Sequence, residues 1–528
     1  MTRLKAIIAS AAVLVLFLWL GVFRAELIPQ HANREQQLWL LTGDEPAYLL
    51  AAQAFAAGDG LDMGPAQRRQ EHLRFYDGDI MGPGQFNRAW HGLGGDPTSA
   101  RARWWADKQI KRHAPGFPLL LAPLAGCQQF RWTAAVTEAL LMCALAALLL
   151  WRARTLATTT YAATALAVLC FLGGAPSAFY AAQMYPETST GVLAVTALTL
   201  FTARRRWEHL AGCVLLTVLL WFSPRMLGGV LLACGILGWS ALRRRDWLEL
   251  LLLGAGCALF FGFNLFVWDM LLPMSLAGSS KLLALGCGVA LVGSALLYKF
   301  MRPRWWLVTL LALGGAAFLA LQQVSPALTG GGPLKHLGQQ LLIMFLGNDV
   351  GLLFLNPALW LGVVAACWLL CHQRDEAFYL WAALFIGVLV SVAVVPEWRA
   401  GTCPAGRYGV IPAYLLLVPV LRVFALASPA WRVRLLTTLV VLGGVGLVTG
   451  WFMAQAPNFW FRDYHPLFGY VRLQRYYDWL PASEHLRPKP ILLWLLCFSA
   501  TLGLFDAGRF LWRWWKNLPP AIGPFPDS

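Results

Sequence analysis

Two adjacent acids, Asp44 and Glu45, occur in the stretch TGDEPAYLL of a chain in which only 13% of the residues are charged. A carboxylate beside a hydroxyl group can accept its proton during nucleophilic attack, so this pair has the chemistry of a general base. Neighbouring residues in a helix point about 100° apart, which predicts different roles for the two acids. We assign Asp44 as the base and Glu45 as a capping or positioning residue. Capping by both acids explains the local sequence equally well.

The residues after the acids predict a short helix at a membrane surface. Pro46 suits a first helical turn, and Gly58 suits the position just past a helix end. Leu49, Ala52 and Ala56 would form one apolar stripe, as in an amphipathic helix that lies on a membrane. A second apolar stretch, 117–124, is too short to cross a bilayer and is predicted to lie along the surface as well.

Four further motifs contain residues that can handle an anion or a hydroxyl group. They are HAPGFP, YPE, SPRM and GRYG, which contribute His113, Glu187, Arg225, Arg407 and Tyr408. An arginine can bind a phosphate through two N–H groups, and a histidine can bind a phosphate or orient an acceptor. The alternatives are structural, because His113 and Glu187 would also serve as caps and the arginines would also reach lipid headgroups.

The composition predicts an all-α polytopic membrane protein. Of the 528 residues, 58% are hydrophobic. Apolar runs of about 20 residues, the length that crosses a bilayer as a helix, recur along the chain. We predict about fourteen transmembrane helices from these runs. They lie near 6–23, 132–151, 159–180, 188–203, 208–222, 226–242, 247–268, 281–300, 306–322, 351–371, 377–395, 409–427, 435–453 and 490–507.

Arginine and lysine collect in alternate short loops, which predicts cytoplasmic termini and places the adjacent acids outside. These loops account for the net charge of +16 without a basic soluble domain, which argues against a nucleic-acid partner. A first transmembrane helix in 1–24 is followed by a long periplasmic loop, 25–131, with the acids and the surface helices. The predicted remainder is a helical core in 132–453, a last periplasmic loop in 454–489, and a last helix with a cytoplasmic tail in 490–528.

The eleven cysteines lie mostly within the apolar runs, where cysteine behaves as a small hydrophobic residue. Cys127 and Cys403 are predicted near the outer surface, where a disulfide or two free thiols would fit. The sequence contains no CxxC pair and no histidine cluster typical of a metal site, so we assign no metal ligand.

Taken in order, these motifs resemble those of the GT-C glycosyltransferases, the superfamily of protein O-mannosyltransferases and the lipid A aminoarabinose transferase. The resemblance rests on an acidic pair in the first outer loop, a later histidine–proline–glycine element and surface helices on a polytopic scaffold. GDEPAYLL, HAPGFPLLLAP, YPE, FLGNDVGLLFLNPALWLG and GRYGVIPAYLLL look most like a bacterial group whose first loop reads GDEPHYLL and HGPGLPLLL. The chain departs from that group at Ala47, where the group usually has histidine, and at APG in place of GPG.

The resemblance implies a GT-C-like fold in a bacterial inner membrane, with a cavity at the outer leaflet. It also implies inverting transfer of a hexosyl or pentosyl sugar from a polyprenyl-phosphate donor to a protein, lipid or polysaccharide. Asp44 would deprotonate the acceptor, Arg407 and Arg225 would contact the carrier phosphate, and His113 and Glu187 would line the acceptor side. No cofactor is required, although a divalent cation bridging the acids and the phosphate would be compatible.

Two other functions fit the same composition. A transporter or flippase of a lipid-linked sugar would need charged residues along a path through the membrane, whereas the predicted spans carry few central charges and no inverted repeat. A non-catalytic membrane protein of envelope assembly would fit if Ala47 marks a lost activity. Polar residues clustered at one face of the membrane favour the catalytic interpretation.

Overall fold

The computed structural model describes residues 2–30, 45–74, 114–203, 205–268, 344–345, 351–373, 375–393 and 407–455. Within these ranges every regular element is helical, and no strand is present. Several sequence predictions lie outside the described residues, namely Asp44, His113, Cys403, the runs 281–300, 306–322 and 490–507, and the loop 454–489.

The described α-helices follow one another along the chain, joined by short 3-10 turns. The α-helices are α1 (Arg3–Gln30), α2 (Glu45–Ala56), α3 (Gly64–Arg68), α4 (Gly116–Leu121), α5 (Phe130–Arg152), α6 (Thr158–Gly173), α7 (Ser177–Ala181), α8 (Pro186–Phe201), α9 (Arg206–Phe222), α10 (Leu227–Arg244), α11 (Trp247–Trp268), α12 (Leu352–Leu355), α13 (Leu359–His372), α14 (Glu376–Ala393), α15 (Val410–Leu426) and α16 (Pro429–Gln455). The 3-10 turns are Glu71–Arg74, Ala122–Leu124, Ala153–Thr155, Pro224–Met226 and Arg407–Gly409.

Among the described residues, six of the predicted runs are helices long and apolar enough to cross a membrane, by length and composition. They are Arg3–Val22, Phe130–Thr155, Pro224–Arg244, Trp247–Val267, Arg407–Leu426 and Trp431–Trp451. Long apolar helices of this kind indicate a membrane protein.

Two other predicted runs, 159–180 and 351–371, are each interrupted, so the prediction of one continuous helix is wrong for both. In the first run α6 ends at Gly173 and α7 begins at Ser177. The last four carbonyl groups of a helix have no donor within it and need partners elsewhere. The indole Nε1 of Trp19 donates to the Gly173 carbonyl at 2.7 Å, and the Asn356 amide Nδ2 donates to the Cys170 carbonyl at 3.1 Å. Asn356 lies between α12 and α13, where the second run is broken, so the two helix breaks are in contact.

The short helices of the region before α5 are more deeply packed than the sequence predicts. Helix α2 begins at Glu45 and is followed by Gly58, whose φ is +83°, as predicted for its end. The single apolar stripe is wrong, because Ala56 is exposed and α2 buries two faces. One face packs near α3 and contains Ala47, Leu50 and Ala54. The other lies in the main core and contains Tyr48, Leu49 and Ala52.

Helix α4, predicted to lie along the membrane surface, packs against the end of α9. Phe117 and Leu121 are fully buried, while Leu119 remains 47% exposed. A Cβ atom added to Gly116 would lie 2.5 Å from the Trp221 carbonyl oxygen, so only glycine allows this approach. The contact fixes the chain after His113 beside the turn that carries Arg225.

The described arginine clusters gather at one end of the long helices, which we call the arginine-rich end and define by Arg152, Arg206, Arg244 and Arg422. Arg152 pairs with Glu208 at 2.9 Å, and Arg206 pairs with Asp246 at 3.0 Å. The first contact joins the end of α5 to the start of α9, and the second joins the start of α9 to the turn between α10 and α11. The opposite end, which we call the Glu187 end, is defined by Glu45, Arg131, Glu187, Arg225 and Arg407.

Candidate functional site

Glu187 lies in the first turn of α8, and its side chain is only 1% exposed. The backbone at Tyr185 is extended, and Pro186 then starts the helix, which turns the glutamate into the protein instead of toward solvent. One carboxylate oxygen, Oε1, accepts a hydrogen bond from Arg225 Nη1 at 3.0 Å and another from Arg407 Nε at 2.9 Å. A single buried carboxylate therefore holds two guanidinium groups.

The two arginines reach Glu187 from distant parts of the chain. Arg225 lies in the 3-10 turn between α9 and α10, and Arg407 lies in the 3-10 turn just before α15. They are 38 and 220 residues from Glu187 in sequence. The site thus depends on the packing of α8, α9, α10 and α15, and no local segment could form it alone.

Two tyrosine rings hold the guanidinium groups in position. The Cζ atom of Arg407 lies 4.1 Å from the centroid of the Tyr185 ring, and that of Arg225 lies 3.7 Å from the Tyr408 ring. Both distances are within the range in which a cation is attracted to the negative face of an aromatic ring. The rings leave each guanidinium little freedom, which lowers the entropic cost of binding an anion in a fixed geometry.

Two guanidinium groups and one carboxylate meet at this site. Arg225 and Arg407 both pair with the same oxygen of Glu187. The second oxygen of Glu187, Oε2, is buried and has no hydrogen-bond partner among the described residues. Arg225 is 22% exposed, so the site can be reached from outside the protein. This arrangement can bind an anion that also offers a hydrogen-bond donor.

A second buried ion pair ties the adjacent acids to the same end of the protein. Arg131 Nε donates to Glu45 Oε1 at 2.7 Å, and the two side chains are 7% and 0% exposed. Tyr48, one turn further along α2, contacts the Tyr185 ring with centroids 6.4 Å apart. Glu45 is thus buried and paired, which suits a positioning role better than direct contact with a substrate.

The structure brings together four of the residues singled out in the sequence: Glu187, Arg225, Arg407 and Tyr408. The sequence analysis assigned Glu187 to the acceptor side and the two arginines to the phosphate, but the three groups are in direct contact and form one site. Glu45 joins this end through Arg131, a residue that sequence reasoning missed. A signal for Arg131 existed, because it is an arginine in the first turn of a long apolar run.

A divalent cation finds no ready site at the Glu187 end within the part of the chain that the structure describes. Both described carboxylates there, Glu45 and Glu187, already accept hydrogen bonds from guanidinium groups, which compete directly with a metal ion.

Of the two cysteines predicted near the outer surface, Cys127 is exposed, and Cys403 lies outside the described ranges.

The chain matches no protein-family model and no curated protein.

Proposed function

We propose that this protein is an inverting glycosyltransferase that moves a sugar from a polyprenyl-phosphate donor to an acceptor at the periplasmic face of a membrane. The observation that carries the proposal is the Glu187 site, in which two arginines stacked on tyrosine rings share one buried carboxylate. A phosphate that gains negative charge as it leaves needs fixed cations more than it needs a proton donor. Two guanidinium groups held by Glu187 supply such cations without moving.

The reaction needs one base besides these cations. As the acceptor oxygen forms its bond to the anomeric carbon, its proton passes to the Asp44 carboxylate. The bond from that carbon to the carrier oxygen breaks, and the polyprenyl phosphate leaves with the electron pair. Asp44 precedes Glu45, which is anchored to Arg131, so the anchored pair would limit the movement of the base.

The proposed architecture is GT-C-like, with about fourteen membrane spans, both termini cytoplasmic and a long first periplasmic loop in a bacterial inner membrane. The six candidate spans and the gathering of the arginine clusters at one end support this arrangement. Within it, the Glu187 end faces the periplasm. The donor, the membrane lipids and a protein, lipid or polysaccharide acceptor would meet there, with His113 on the acceptor side.

The proposal is tested by sugar transfer in nanodiscs with a synthetic polyprenyl-phosphate sugar as donor. Asp44→Asn keeps the size and capping ability of the side chain but removes the proton acceptor, so the rate should fall by about 10²–10⁴-fold. Arg225→Lys keeps the charge but loses the planar fork and the stacking on Tyr408, so donor affinity should fall. The matched control is Asp62→Asn, because Asp62 accepts a hydrogen bond from the Gly64 amide and asparagine can accept it too.

Thermal unfolding of each variant separates a chemical effect from a loss of fold. A stable Asp44→Asn protein with full activity would remove Asp44 as the base. Unchanged donor binding in Arg225→Lys would remove the arginines from the phosphate site. Failure of the wild-type protein to transfer any polyprenyl-linked sugar, with donor still bound, would contradict the transferase proposal as a whole.

A flippase of a lipid-linked sugar is favoured by one observation in the membrane interior. Glu138 lies within the candidate span Phe130–Thr155, is 0% exposed and accepts a hydrogen bond from the Ser189 hydroxyl. A carboxyl group inside a span is costly and commonly marks a transport path. Movement of an intact, fluorescent lipid-linked sugar between vesicle leaflets without transfer, abolished by Glu138→Gln, would establish this second function.

A further inference from the structure

His209 and Cys213 lie four residues apart on α9, so one helical face presents both side chains. Glu249, in the first turn of α11, meets them from the neighbouring helix. Cys213 is fully buried and the Glu249 side chain is 1% exposed, whereas His209 is 22% exposed. The cluster belongs to the arginine-rich end and is separate from the Glu187 site.

The three side chains lie close to the spacing that one metal ion requires. One ligand atom from each residue lies within 4.8 Å of the other two, and His209 Nε2 is 3.1 Å from Glu249 Oε1. Zinc binds nitrogen, sulfur and oxygen at about 2.0–2.3 Å, so tetrahedral ligands lie roughly 3.3–3.8 Å from each other. Metal binding would therefore move the ligand atoms by about 1 Å or less relative to one another.

The groups around the cluster orient two of the three ligands. Arg244 Nη2 donates to the other oxygen of Glu249, Oε2, at 2.8 Å, which directs Oε1 toward His209. The Glu249 amide is held by Asp246, and the Phe201 ring packs edge-on against the His209 imidazole with centroids 5.4 Å apart. Protein metal sites show outer contacts like that of Arg244, in which a second hydrogen bond fixes a ligand.

We propose that His209, Cys213 and Glu249 bind one zinc ion and thereby clamp α9 to α11 at the arginine-rich end. A nitrogen, sulfur and carboxylate set suits zinc and disfavours magnesium or calcium, which take oxygen ligands. On binding, the Cys213 thiol releases its proton to solvent and forms an Sγ–Zn bond. The hydrogen that joins His209 Nε2 to Glu249 also leaves to solvent, Nδ1 keeps the other ring hydrogen, and Nε2 binds the metal. One thiolate and one carboxylate then balance the charge of the ion, and a water molecule can take the fourth position.

The partly exposed His209 provides a path by which the ion reaches Cys213. The alternative is a purely structural role, in which His209 and Glu249 form only the ion pair described above and Cys213 is a small packing residue. The two interpretations differ in whether the thiol has a metal partner, which can be measured directly. The proposal does not depend on the transferase activity.

The test uses the purified full-length chain, freed of metal by a chelator and of any histidine tag, and titrated with Zn²⁺ and with Co²⁺. We expect one ion per chain, and near-ultraviolet absorption from a cobalt–thiolate bond. Cys213→Ser should abolish that absorption, and His209→Gln should weaken zinc binding as well. Arg244→Gln, which removes an outer contact, should weaken binding by roughly 10–100-fold.

Cys257→Ser is the matched control, because the Cys257 thiol faces Cys234 at 4.0 Å on the adjacent helix and is not one of the three ligands. It should bind zinc and cobalt as the wild type does. Absence of stoichiometric binding by the folded wild-type protein would overturn the proposal. So would a cobalt–thiolate spectrum that survives Cys213→Ser or is lost in Cys257→Ser.

Discussion

At the Glu187 end the ion pairs are largely buried, with the Glu187, Arg407 and Arg225 side chains 1%, 3% and 22% exposed. At the arginine-rich end several guanidinium groups are far more exposed. Glu249 is 1% exposed, whereas its partner Arg244 is 47% exposed, and Arg206 is 67% exposed. The same residue types are therefore exposed to solvent to different extents at the two ends.

This difference separates two uses of arginine in one protein. An exposed guanidinium keeps its water and adds about 0–1 kcal/mol through its ion pair, so the arginine-rich end costs little to build. Its positive charge agrees with the predicted cytoplasmic orientation. Burial of Arg407 against the buried carboxylate of Glu187 is expensive by comparison.

The largest expected effect concerns which side of the membrane each end faces. A reporter fused after Arg206 or Arg245 should be active only in a cytoplasmic assay, and one fused near Gly78 only in a periplasmic assay, because positive loops stay inside. The outcome is all or none. The reverse pattern would exchange the two ends and remove the proposed periplasmic site.

The next effect concerns the buried site. Glu187→Gln leaves two neighbouring guanidinium groups without their counter-charge, so the free energy of unfolding should fall by about 3–5 kcal/mol. The measurement is denaturant-induced unfolding in mixed micelles. The control at the other end is Glu376→Gln, whose carboxylate is 35% exposed and lies 3.9 Å from Arg244. That change should cost about 1 kcal/mol or less, and equal losses would show that the two ends do not differ in solvation.

The smallest effect is a pH dependence at the arginine-rich end. Burial alone would raise the pKa of Asp375, but hydrogen bonds from Arg422 and the Phe378 amide bring that pKa below its ordinary value of 3.8. Since the folded pKa is the lower one, the pair stabilises the protein above about pH 4 and loses this effect as the pH falls through the folded pKa. The side chain is 53% exposed, which limits the contribution to about 1 kcal/mol or less.

The comparison of thermal midpoints for the wild type and Asp375→Asn at pH 7 and pH 3 measures this contribution. The wild type should be slightly more stable at pH 7, and the difference should shrink at pH 3. A difference that grows on acidification would show that Arg422 does not stabilise the ionised carboxylate.

Local sequence predicted much of the helical structure, because apolar runs and helix-ending residues act within a few turns. The start of α2 at Glu45 and its end before Gly58 are examples. The second buried face of α2 was not predictable, since Ala47, Leu50 and Ala54 gain their role only from packing near α3. The helix breaks at Gly173 and Asn356 were missed because continuous hydrophobicity hid them.

For the candidate site too, local sequence predicted the residues, whereas tertiary packing decides their contacts. The sequence analysis predicted Glu187, Arg225, Arg407 and Tyr408 as polar residues at one end, but it did not predict their direct contacts, which join positions up to 220 residues apart. Such distances are set by tertiary packing. The pairing of Glu45 with Arg131, and of His209 with Glu249, was hidden for the same reason.

The meeting of the two helix breaks has a consequence for the order in which the protein is made. Trp19 precedes Gly173 in the chain and can donate to its carbonyl as soon as α6 packs against α1. The donor for the Cys170 carbonyl is 186 residues downstream, so at about 5–20 residues per second it is synthesised roughly 10–40 s later. A buried carbonyl without a donor is costly, so during that interval the nascent α6 needs a substitute donor such as water. A chain truncated before Asn356 would lack the Asn356 amide, so its Cys170 carbonyl would always need another donor.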